Sequence, residues 1–201
     1  MSIKPIETIY NGYRFRSRLE ARWAVFFDAA GIKYQYEPEG FCVTDFDGPD
    51  LYYLPDFYFP DQEIYGEVKG RPFTEQEKEK MAWSVDYCGP LKNGLVLLGN
   101  IPSKLELDDM PDFNIPFVYW TKGIVKGAAC FELNGLDRLR FYLPDFQDCI
   151  TSAPDFPYDD AEPFFFFSHG DDVEEWLPHK ALVDSCMNKA RQARFEHGEC
   201  G

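Results

Sequence analysis

The hydrophobic positions near the start of the chain recur with a helical period. They are Leu19, Trp23, Phe26, Phe27 and Ala30. Ser17 is a suitable N-cap for a helix, and Glu20 three residues later completes a capping box. Gly31 is suited to ending the helix, so the pattern predicts a first helix between Ser17 and Gly31. An Asn-Gly turn signal ahead of this helix predicts a small hairpin.

Shorter apolar runs between turn residues are typical of strands further along the chain. The predicted strands are Lys33 to Val43 with an interruption at Pro38, Leu51 to Phe59, Glu63 to Lys69, and Asn93 to Leu98. A second helix is predicted from Thr74 to Tyr87, with Thr74 as N-cap and Glu77 three residues on. The order of helix, three strands, helix and buried strand predicts an α/β fold with a mixed central β-sheet flanked by helices.

The second half of the chain is more acidic, and its periodicity is weaker. Strands are predicted from Ile115 to Trp120 and from Ala128 to Leu133, and a last helix from Leu177 or Lys180 to Phe195. The inner face of that helix is predicted to carry Leu182, Val183, Cys186, Met187 and Ala190. We therefore divide the chain into a core over residues 1–125 and an acidic, aromatic-rich C-terminal extension over residues 126–201 that packs on the core.

The composition favours a folded protein outside the membrane. Of the 201 residues 45% are hydrophobic, yet no uninterrupted apolar run reaches the ~18 residues that a transmembrane helix needs. The N-terminus lacks the apolar stretch of a signal peptide, so we expect a cytoplasmic protein. The six cysteines are scattered without a Cys-x-x-Cys spacing, which favours free thiols over a zinc site or a disulfide framework.

The net charge of −15 is unfavourable for binding a polyanion, but the charge is unevenly distributed. Residues 101–178 carry 16 acidic and 5 basic side chains, which makes them a candidate surface for a protein partner or a mimic of nucleic acid. A solvated loop is the simpler interpretation of that segment. By contrast, four arginines cluster near the start of the chain. They are Arg14, Arg16, Arg18 and Arg22.

These arginines are candidate contacts for nucleic-acid phosphates. A solvated helix start, whose arginines pair with surrounding acidic groups, is the alternative interpretation. Arg191 and Arg194 on the last predicted helix are further candidates for the substrate cleft, and docking of that helix through salt bridges fits them equally well.

The most informative segment is the hairpin that joins two of the predicted strands. If its turn centres between Asp61 and Gln62, the numbers of facing residues sum to 123, and Asp56 faces Glu67. Like charges in this position repel unless a cation lies between them. Lys69 leaves the same face of the strand two residues after Glu67. Two carboxylates and one ammonium that converge on a sheet predict a divalent-metal site with hydrolytic chemistry.

Two features of this pattern have simpler explanations that must be weighed. Pro-Asp-Phe occurs four times in the chain, and only the copy at 55–57 precedes a Glu-x-Lys sequence at hairpin distance. An edge hairpin with solvated charges is the alternative there. Glu20 is explained by its capping role, or it is a third acidic group that reaches the site from the first helix, and these two interpretations are compatible.

A glutamate on the first helix, a Pro-Asp pair and a Glu-x-Lys sequence on adjacent strands resemble the PD-(D/E)XK nuclease superfamily. The matching residues are Glu20, Pro55-Asp56 and Glu67-Val68-Lys69. The resemblance covers roughly residues 10–100 and agrees with the predicted order of elements. The segments Tyr13 to Trp23 and Ala190 to Gly198 are similar to stretches of small nucleases that phages and prophages encode.

This resemblance implies a restriction-endonuclease-like core and metal-dependent hydrolysis of phosphodiester bonds, with DNA as the expected substrate. Asp56, Glu67 and the backbone carbonyl of Val68 would hold Mg²⁺, for which Mn²⁺ would substitute, and Glu20 would contribute directly or through water. The metal would polarise the scissile phosphate and lower the pKa of a bound water. Lys69 would orient that water or stabilise the developing charge. The implied products are a 5′-phosphate and a 3′-hydroxyl.

Two other functions stay open on the sequence. A nuclease-like scaffold with an acidic flank could act as a non-catalytic interaction protein, an inhibitor or nucleic-acid mimic that binds a basic partner. A nuclease subunit that takes its DNA affinity from a partner would reconcile the acidic flank with the catalytic pattern. DNA or RNA, endonuclease or exonuclease action, and the oligomeric state are likewise undetermined.

Overall fold

The structure, a computed structural model, describes residues 6–43, 50–71, 73–87, 89–103, 117–121, 124–133, 138–142 and 173–195. Its strands are β1 (Thr8–Tyr10), β2 (Tyr13–Phe15), β3 (Gln35–Tyr36), β4 (Phe41–Val43), β5 (Leu51–Tyr53), β6 (Phe57–Phe59), β7 (Ile64–Val68), β8 (Leu95–Leu98), β9 (Phe117–Thr121), β10 (Ile124–Leu133) and β11 (Leu139–Tyr142). Its helices are α1 (Arg18–Ala30), α2 (Glu75–Tyr87) and α3 (Val173–Gln192), with a 3₁₀ helix at Gly89–Asn93.

The central sheet has seven strands in the order β11-β10-β9-β8-β7-β6-β3. Neighbouring strands are antiparallel except β7 and β8, which run parallel because α2 carries the chain back between them. The strand pairs β1-β2 and β4-β5 form two small sheets. The described part of the chain therefore has the predicted mixed α/β character, with a mixed sheet and helices packed on it.

Helices cover both faces of the sheet, which explains why β7 and β8 are buried along their whole length. On one side, Val96 and Leu98 of β8 pack into a core that includes α1 and α3. On the other side, Leu95 and Leu97 pack with α2 and with β5. The alternation of strand side chains therefore divides the interior into two cores, and the side chains of β7 are sorted in the same way.

Helix α1 forms as its sequence predicts and is fixed onto the sheet. The Ser17 hydroxyl accepts a hydrogen bond from the Glu20 N–H at 3.2 Å, and the helix ends at Gly31, whose φ of 69° lies in the left-handed region. The Trp23 indole N–H donates to the Gly99 carbonyl at 2.8 Å, just after β8. This bond places the start of α1 beside the carboxyl end of the central strands.

Two other local predictions are confirmed. The Thr74 hydroxyl accepts a hydrogen bond from the Glu77 N–H at 3.3 Å, and the Glu77 carboxylate accepts the Thr74 N–H at 3.0 Å, which completes the capping box of α2. Asn11 and Gly12 have φ values of 46° and 80°, and they join β1 to β2. A two-residue hairpin turn requires positive φ at both central positions.

The predicted strand from Leu51 to Phe59 is wrong. The segment forms two strands, β5 and β6, that belong to different sheets. Pro55 separates them, and since proline has no N–H it cannot continue the hydrogen-bond ladder of a strand. The break leaves Asp56 immediately ahead of β6, at the edge of the ladder.

The described part of the second half has one more strand than the sequence pattern indicates, and one of the two predicted strands is longer than expected. β9 starts at Phe117 and β10 begins at Ile124 rather than Ala128. β11 was not predicted, because its four residues have little periodicity and are ordered by pairing with β10. Residues 115 and 116 of the predicted strand lie outside the described part of the chain.

The last helix has the predicted inner face but different ends. It begins at Val173 instead of Leu177 or Lys180, and it ends at Gln192 instead of Phe195. Four of the predicted inner-face residues are buried against α1, and Leu182 packs at their edge. The four are Val183, Cys186, Met187 and Ala190.

Three broader predictions concern the chain as a whole. Strands on both sides of residue 125 belong to one continuous sheet, and the division into a core and an extension stays a prediction. Among the described residues, no helix is long and apolar enough to cross a membrane. Cys42 and Cys186 are free thiols, while most of the acidic segment 101–178 lies outside the described residues.

Candidate active site

The hairpin of β6 and β7 has the predicted register. Phe57 faces Gly66, and Tyr58 faces Tyr65, so the numbers of each facing pair sum to 123. Asp56 is the next residue outward from this ladder, and its carboxylate accepts a hydrogen bond from the Val68 N–H at 2.7 Å. This bond holds the buried Asp56 side chain against the end of β7.

The Val68 backbone has the orientation that the implied ligand role needs. Its N–H points towards Asp56, and the Lys69 N–H points to the other side, to the Leu98 carbonyl at 2.9 Å. The N–H and C=O of one strand residue point to the same side. The Val68 carbonyl therefore faces the Asp56 side of the strand.

Glu67 and Lys69 lie on the same face of the strand and form an ion pair. Lys69 Nζ lies 3.1 Å from Glu67 Oε1, and the Tyr53 hydroxyl donates to Glu67 Oε2 at 3.0 Å. Glu67 and Tyr53 are buried, and Lys69 is partly exposed. The two partners fix both oxygens of the glutamate.

Arg16 reaches into the same site from the loop ahead of α1. Its Nη2 lies 2.8 Å from Asp56 Oδ1 and 2.5 Å from Glu37 Oε1. The Glu37 N–H in turn donates to the Asp56 carbonyl at 2.9 Å, and Glu37 has a φ of 43°. Arg16 therefore occupies the oxygen of Asp56 that is not bound to Val68.

Glu20 has both of the roles between which the sequence could not decide. It takes part in the cap of α1, because the Ser17 hydroxyl donates to its Oε1 at 2.6 Å. Its Oε2 accepts from the Tyr36 hydroxyl at 2.6 Å and from the Arg16 N–H at 3.0 Å. The side chain is buried, and it lines the same cleft as Asp56.

Burial dominates the electrostatics of the two carboxylates, and at Asp56 the charges of neighbouring carboxylates add to it. Burial, followed by the charges of Glu67 and Glu20, raises the pKa of Asp56 to about 8. Burial also raises the pKa of Glu67, although Lys69 opposes it. For Lys69, burial acts to lower the pKa, but the Glu67 carboxylate outweighs it and the pKa is raised. The site thus favours a bound cation and keeps Lys69 protonated.

These side chains line an open cleft of about 710 Å³ between β5, β7 and α2. Lys80 and Glu77 of α2 form part of its wall. The pKa of Glu77 is lowered to about 2, mainly by hydrogen bonds from Arg71, so this carboxylate stays ionised. The cleft is large enough for a nucleotide-sized group, and it carries both signs of charge.

The arginines of the predicted cluster lie in three different places. Arg14 is exposed on β2 and pairs with Glu7, and Arg16 lies in the cleft. Arg18 and Arg22 line a separate pocket together with two arginines from the C-terminal end of α3. Those two are Arg191 and Arg194. The four arginines near the start of the chain therefore do not share one edge, and Arg191 and Arg194 line this pocket instead of the cleft; contact of these arginines with phosphates stays a prediction.

Sequence reasoning missed Tyr53 and underrated Arg16 as parts of the site. Tyr53 belongs to the same Tyr-Leu-Pro-Asp-Phe sequence as Asp56, but its contact with Glu67 depends on how β5 folds over the hairpin. Tyr36 holds Glu20 through its hydroxyl. A buried tyrosine needs a partner for its hydroxyl, which is the one signal that the sequence offers.

The oxygen atoms of Asp56, Glu67 and Val68 suit a magnesium ion better than a metal that is held by protein ligands alone. In the part of the chain that is described, no three His, Cys, Asp or Glu side chains converge in a way that could hold a metal. Mg²⁺ is usually held by one or two carboxylates, with water and substrate oxygens at its other positions. Asp56 and Glu67, with the Val68 carbonyl, would supply such a set once Arg16 released Asp56, and a metal at this site stays a prediction.

Comparisons with known proteins add no relative. The chain matches no protein-family model, no curated protein and no solved structure.

Proposed function

We propose that the protein is a metal-dependent nuclease that hydrolyses phosphodiester bonds, with DNA as the favoured substrate. The observation that carries the proposal is the convergence of Asp56, Glu67, Lys69 and Glu20 in one cleft, where the two central carboxylates have raised pKa values. Buried ion pairs such as Arg16 with Asp56 and Lys69 with Glu67 contribute little net stability, because desolvation offsets their attraction, and this favours a role beyond structure. The restriction-endonuclease-like arrangement of the sheet and α1 is part of the same proposal.

Asp56, Glu67 and the Val68 carbonyl would hold Mg²⁺ or Mn²⁺. The ion, when bound, would supply Lewis-acid activation of the phosphate and of a water. The remaining groups position these ligands. Val68 N–H holds one oxygen of Asp56, and Tyr53 holds one oxygen of Glu67. Both carboxylates are thereby kept in place before a ligand arrives, which lowers the cost of assembling the site.

Lys69 acts as a cation in this scheme. Its raised pKa means that it carries a proton at neutral pH, so it stabilises negative charge on the phosphate or orients the attacking water through a hydrogen bond. Its partial exposure beside the cleft leaves it accessible to a substrate. Arg16, whose side chain is 56% exposed, is free to turn from Asp56 towards a phosphate oxygen.

The distribution of charge favours a second candidate function. The balance of 16 acidic and 5 basic residues over 101–178 suits a basic protein partner better than DNA. Under this alternative the chain is a non-catalytic inhibitor or mimic, or a nuclease subunit that depends on a partner for DNA affinity. The intact Asp-Glu-Lys set favours catalysis, because mimicry gives those residues no task.

The test combines calorimetric titration of Mg²⁺ or Mn²⁺ with nicking of supercoiled DNA by the same samples. We expect the wild type to bind metal and nick DNA, and Glu67→Gln to lose both. Glu63→Gln is the matched control, since it removes an exposed carboxylate from the same hairpin, and we expect it to keep both activities. Lys69→Ala should bind metal but lose nicking.

The outcomes separate the candidate functions. Metal binding without nicking by the wild type would support the subunit, whose partner is missing. Absence of metal binding by the wild type would contradict the nuclease proposal and leave the acidic interaction protein. Equal activity of Glu67→Gln and the control would show that the site lies elsewhere.

A further inference from the structure

A second pocket, of about 520 Å³, lies between α1 and the end of α3 and is lined by four arginines. Arg18 and Arg22 come from one face of α1, and Arg191 and Arg194 come from the far end of the chain. No acidic side chain of the described residues lines this pocket. In a protein with a net charge of −15, four guanidinium groups thus lie together with no carboxylate of the described residues among them.

The guanidinium groups are arranged to receive an anion. Nε of Arg18 and Nε of Arg22 are both buried, and neither has a hydrogen-bond partner among the described residues. Arg191 is held in place by the Pro102 carbonyl and by Asn188 Oδ1, the latter at 2.6 Å from its Nη2. Buried donors without partners are costly, and clustered like charges repel. An anionic ligand with several oxygens would offset both effects.

We propose that these four arginines form a binding site for a backbone phosphate of a polynucleotide, separate from the cleavage cleft. This inference rests on the proposed function for its choice of ligand, since guanidinium groups would also suit other phosphate esters. The rim includes Phe195, whose ring packs edge-on against Tyr10 at 6.0 Å between centroids. The C-terminal end of α3 is thereby fixed beside the pocket.

The two sites hold the polymer at two points on opposite sides of α1. Arg18 and Arg22 are each two residues from Glu20, which is about 200° around a helix, so they leave α1 on the side away from the cleft. The diameter of a helix with its side chains is ~10–12 Å. A strand that occupies both sites must pass around the helix, so the bound phosphate lies several nucleotides from the cleavage position.

The first test measures binding alone, with EDTA present so that no cleavage occurs. The probe is a fluorescein-labelled single-stranded DNA oligonucleotide, followed by fluorescence anisotropy between about 50 and 200 mM salt. We expect Arg18→Gln/Arg22→Gln to weaken affinity roughly tenfold and to reduce the slope of log K against log salt by about 0.7 for each phosphate that the variant no longer neutralises.

The matched control removes the same charge elsewhere. Lys33→Gln/Lys189→Gln changes two exposed lysines that do not line the pocket, one of them on α3 itself, and we expect less than a twofold change in affinity, roughly within the range of general charge effects. Equal losses of affinity in the two double variants, or no binding of the oligonucleotide by the wild type, would contradict a phosphate site in this pocket. Arg194→Gln, a change to an exposed side chain, replaces the first variant if that one fails to fold, with the same predicted direction.

The second test separates this inference from the proposed catalysis. Bis(p-nitrophenyl) phosphate is too short to reach both sites. The pocket variant, Arg18→Gln/Arg22→Gln, should therefore hydrolyse this substrate at the wild-type rate, whereas its rate of DNA cleavage should fall. If DNA binding depends on the pocket but the protein cleaves neither substrate, the phosphate site is supported and the nuclease proposal is contradicted. If Arg18→Gln/Arg22→Gln cleaves DNA at the wild-type rate, the nuclease proposal is supported and the phosphate site is contradicted.

Discussion

Replacing Asp56 with asparagine should stabilise the metal-free protein, and more at about pH 8 than at about pH 5. Burial and the charges of Glu67 and Glu20 raise the pKa of Asp56 from an ordinary 3.8 to about 8. In the unfolded chain the carboxyl group loses its proton near pH 4, whereas in the folded protein it keeps the proton up to about pH 8. Ionisation therefore favours the unfolded state across this interval.

The size of the effect follows from the same values. Each pKa unit corresponds to about 1.4 kcal/mol, so the destabilisation approaches about 6 kcal/mol at pH 8 as an upper limit and is about 1.6 kcal/mol at pH 5. Asparagine removes this contribution but keeps only one acceptor oxygen. Val68 N–H takes that oxygen, and Arg16 loses its partner on Asp56 while it retains Glu37. The lost hydrogen bond between Arg16 and residue 56 reduces the gain in stability by about 1–3 kcal/mol.

We therefore expect a net gain of at most about 3–5 kcal/mol at pH 8. For a chain of this length that corresponds to a rise of up to roughly 6–20 °C in Tm. At pH 5 the gain should be close to zero. The assay is thermal and urea denaturation in EDTA at both pH values. Asp61→Asn is the control, because Asp61 is an exposed aspartate on the same hairpin and its removal should change stability by less than about 0.5 kcal/mol.

The reasoning fails if Asp56→Asn is less stable than the wild type at pH 8, or if its effect is the same at both pH values. Either result would mean that the carboxylate is held by its hydrogen bonds and by Arg16 more strongly than burial opposes it. Added Mg²⁺ should reverse the order of stability, since only the wild type would keep its full set of ligands.

Three further predictions concern neighbouring residues. Gly66→Ala should lower stability by about 1–3 kcal/mol in urea denaturation, because an added Cβ would lie 2.9 Å from the buried Phe59 ring; an unchanged midpoint would show that the ring moves freely. Tyr53→Phe should reduce nicking roughly tenfold while Tm changes little, because it frees one oxygen of Glu67; a full rate would refute the positioning role. Arg16→Gln should tighten Mg²⁺ binding several-fold in calorimetry without DNA, roughly the gain expected from removing one competing cation, and weaker binding would contradict this.

Much of the geometry of the candidate site could be predicted because it depends on contacts that are local in the chain. The register of β6 and β7 is set by a short turn and by alternation, so Asp56, Glu67 and Lys69 could be placed on one face. The caps of α1 and α2 are set by side chains three residues apart. These arrangements need no knowledge of the remaining fold.

The rest depended on contacts between residues far apart in the sequence. Neither the ion pair of Arg16 with Asp56 nor the hydrogen bond of Tyr53 to Glu67 follows from any local pattern. The break before β6 could have been suspected from Pro55, but the assignment of β5 to another sheet could not. β11 is a strand only because it pairs with β10.

The four arginines of the second pocket show most clearly which features are local in the sequence and which depend on the tertiary structure. The sequence determined that Arg18 and Arg22 share a face of α1, because residues four apart are neighbours on a helix. That this face meets Arg191 and Arg194 was decided by the packing of α3 on α1. Helix periodicity fixes which side chains lie together on one element, whereas the choice of the facing element depends on how the apolar surfaces of the whole chain are buried together.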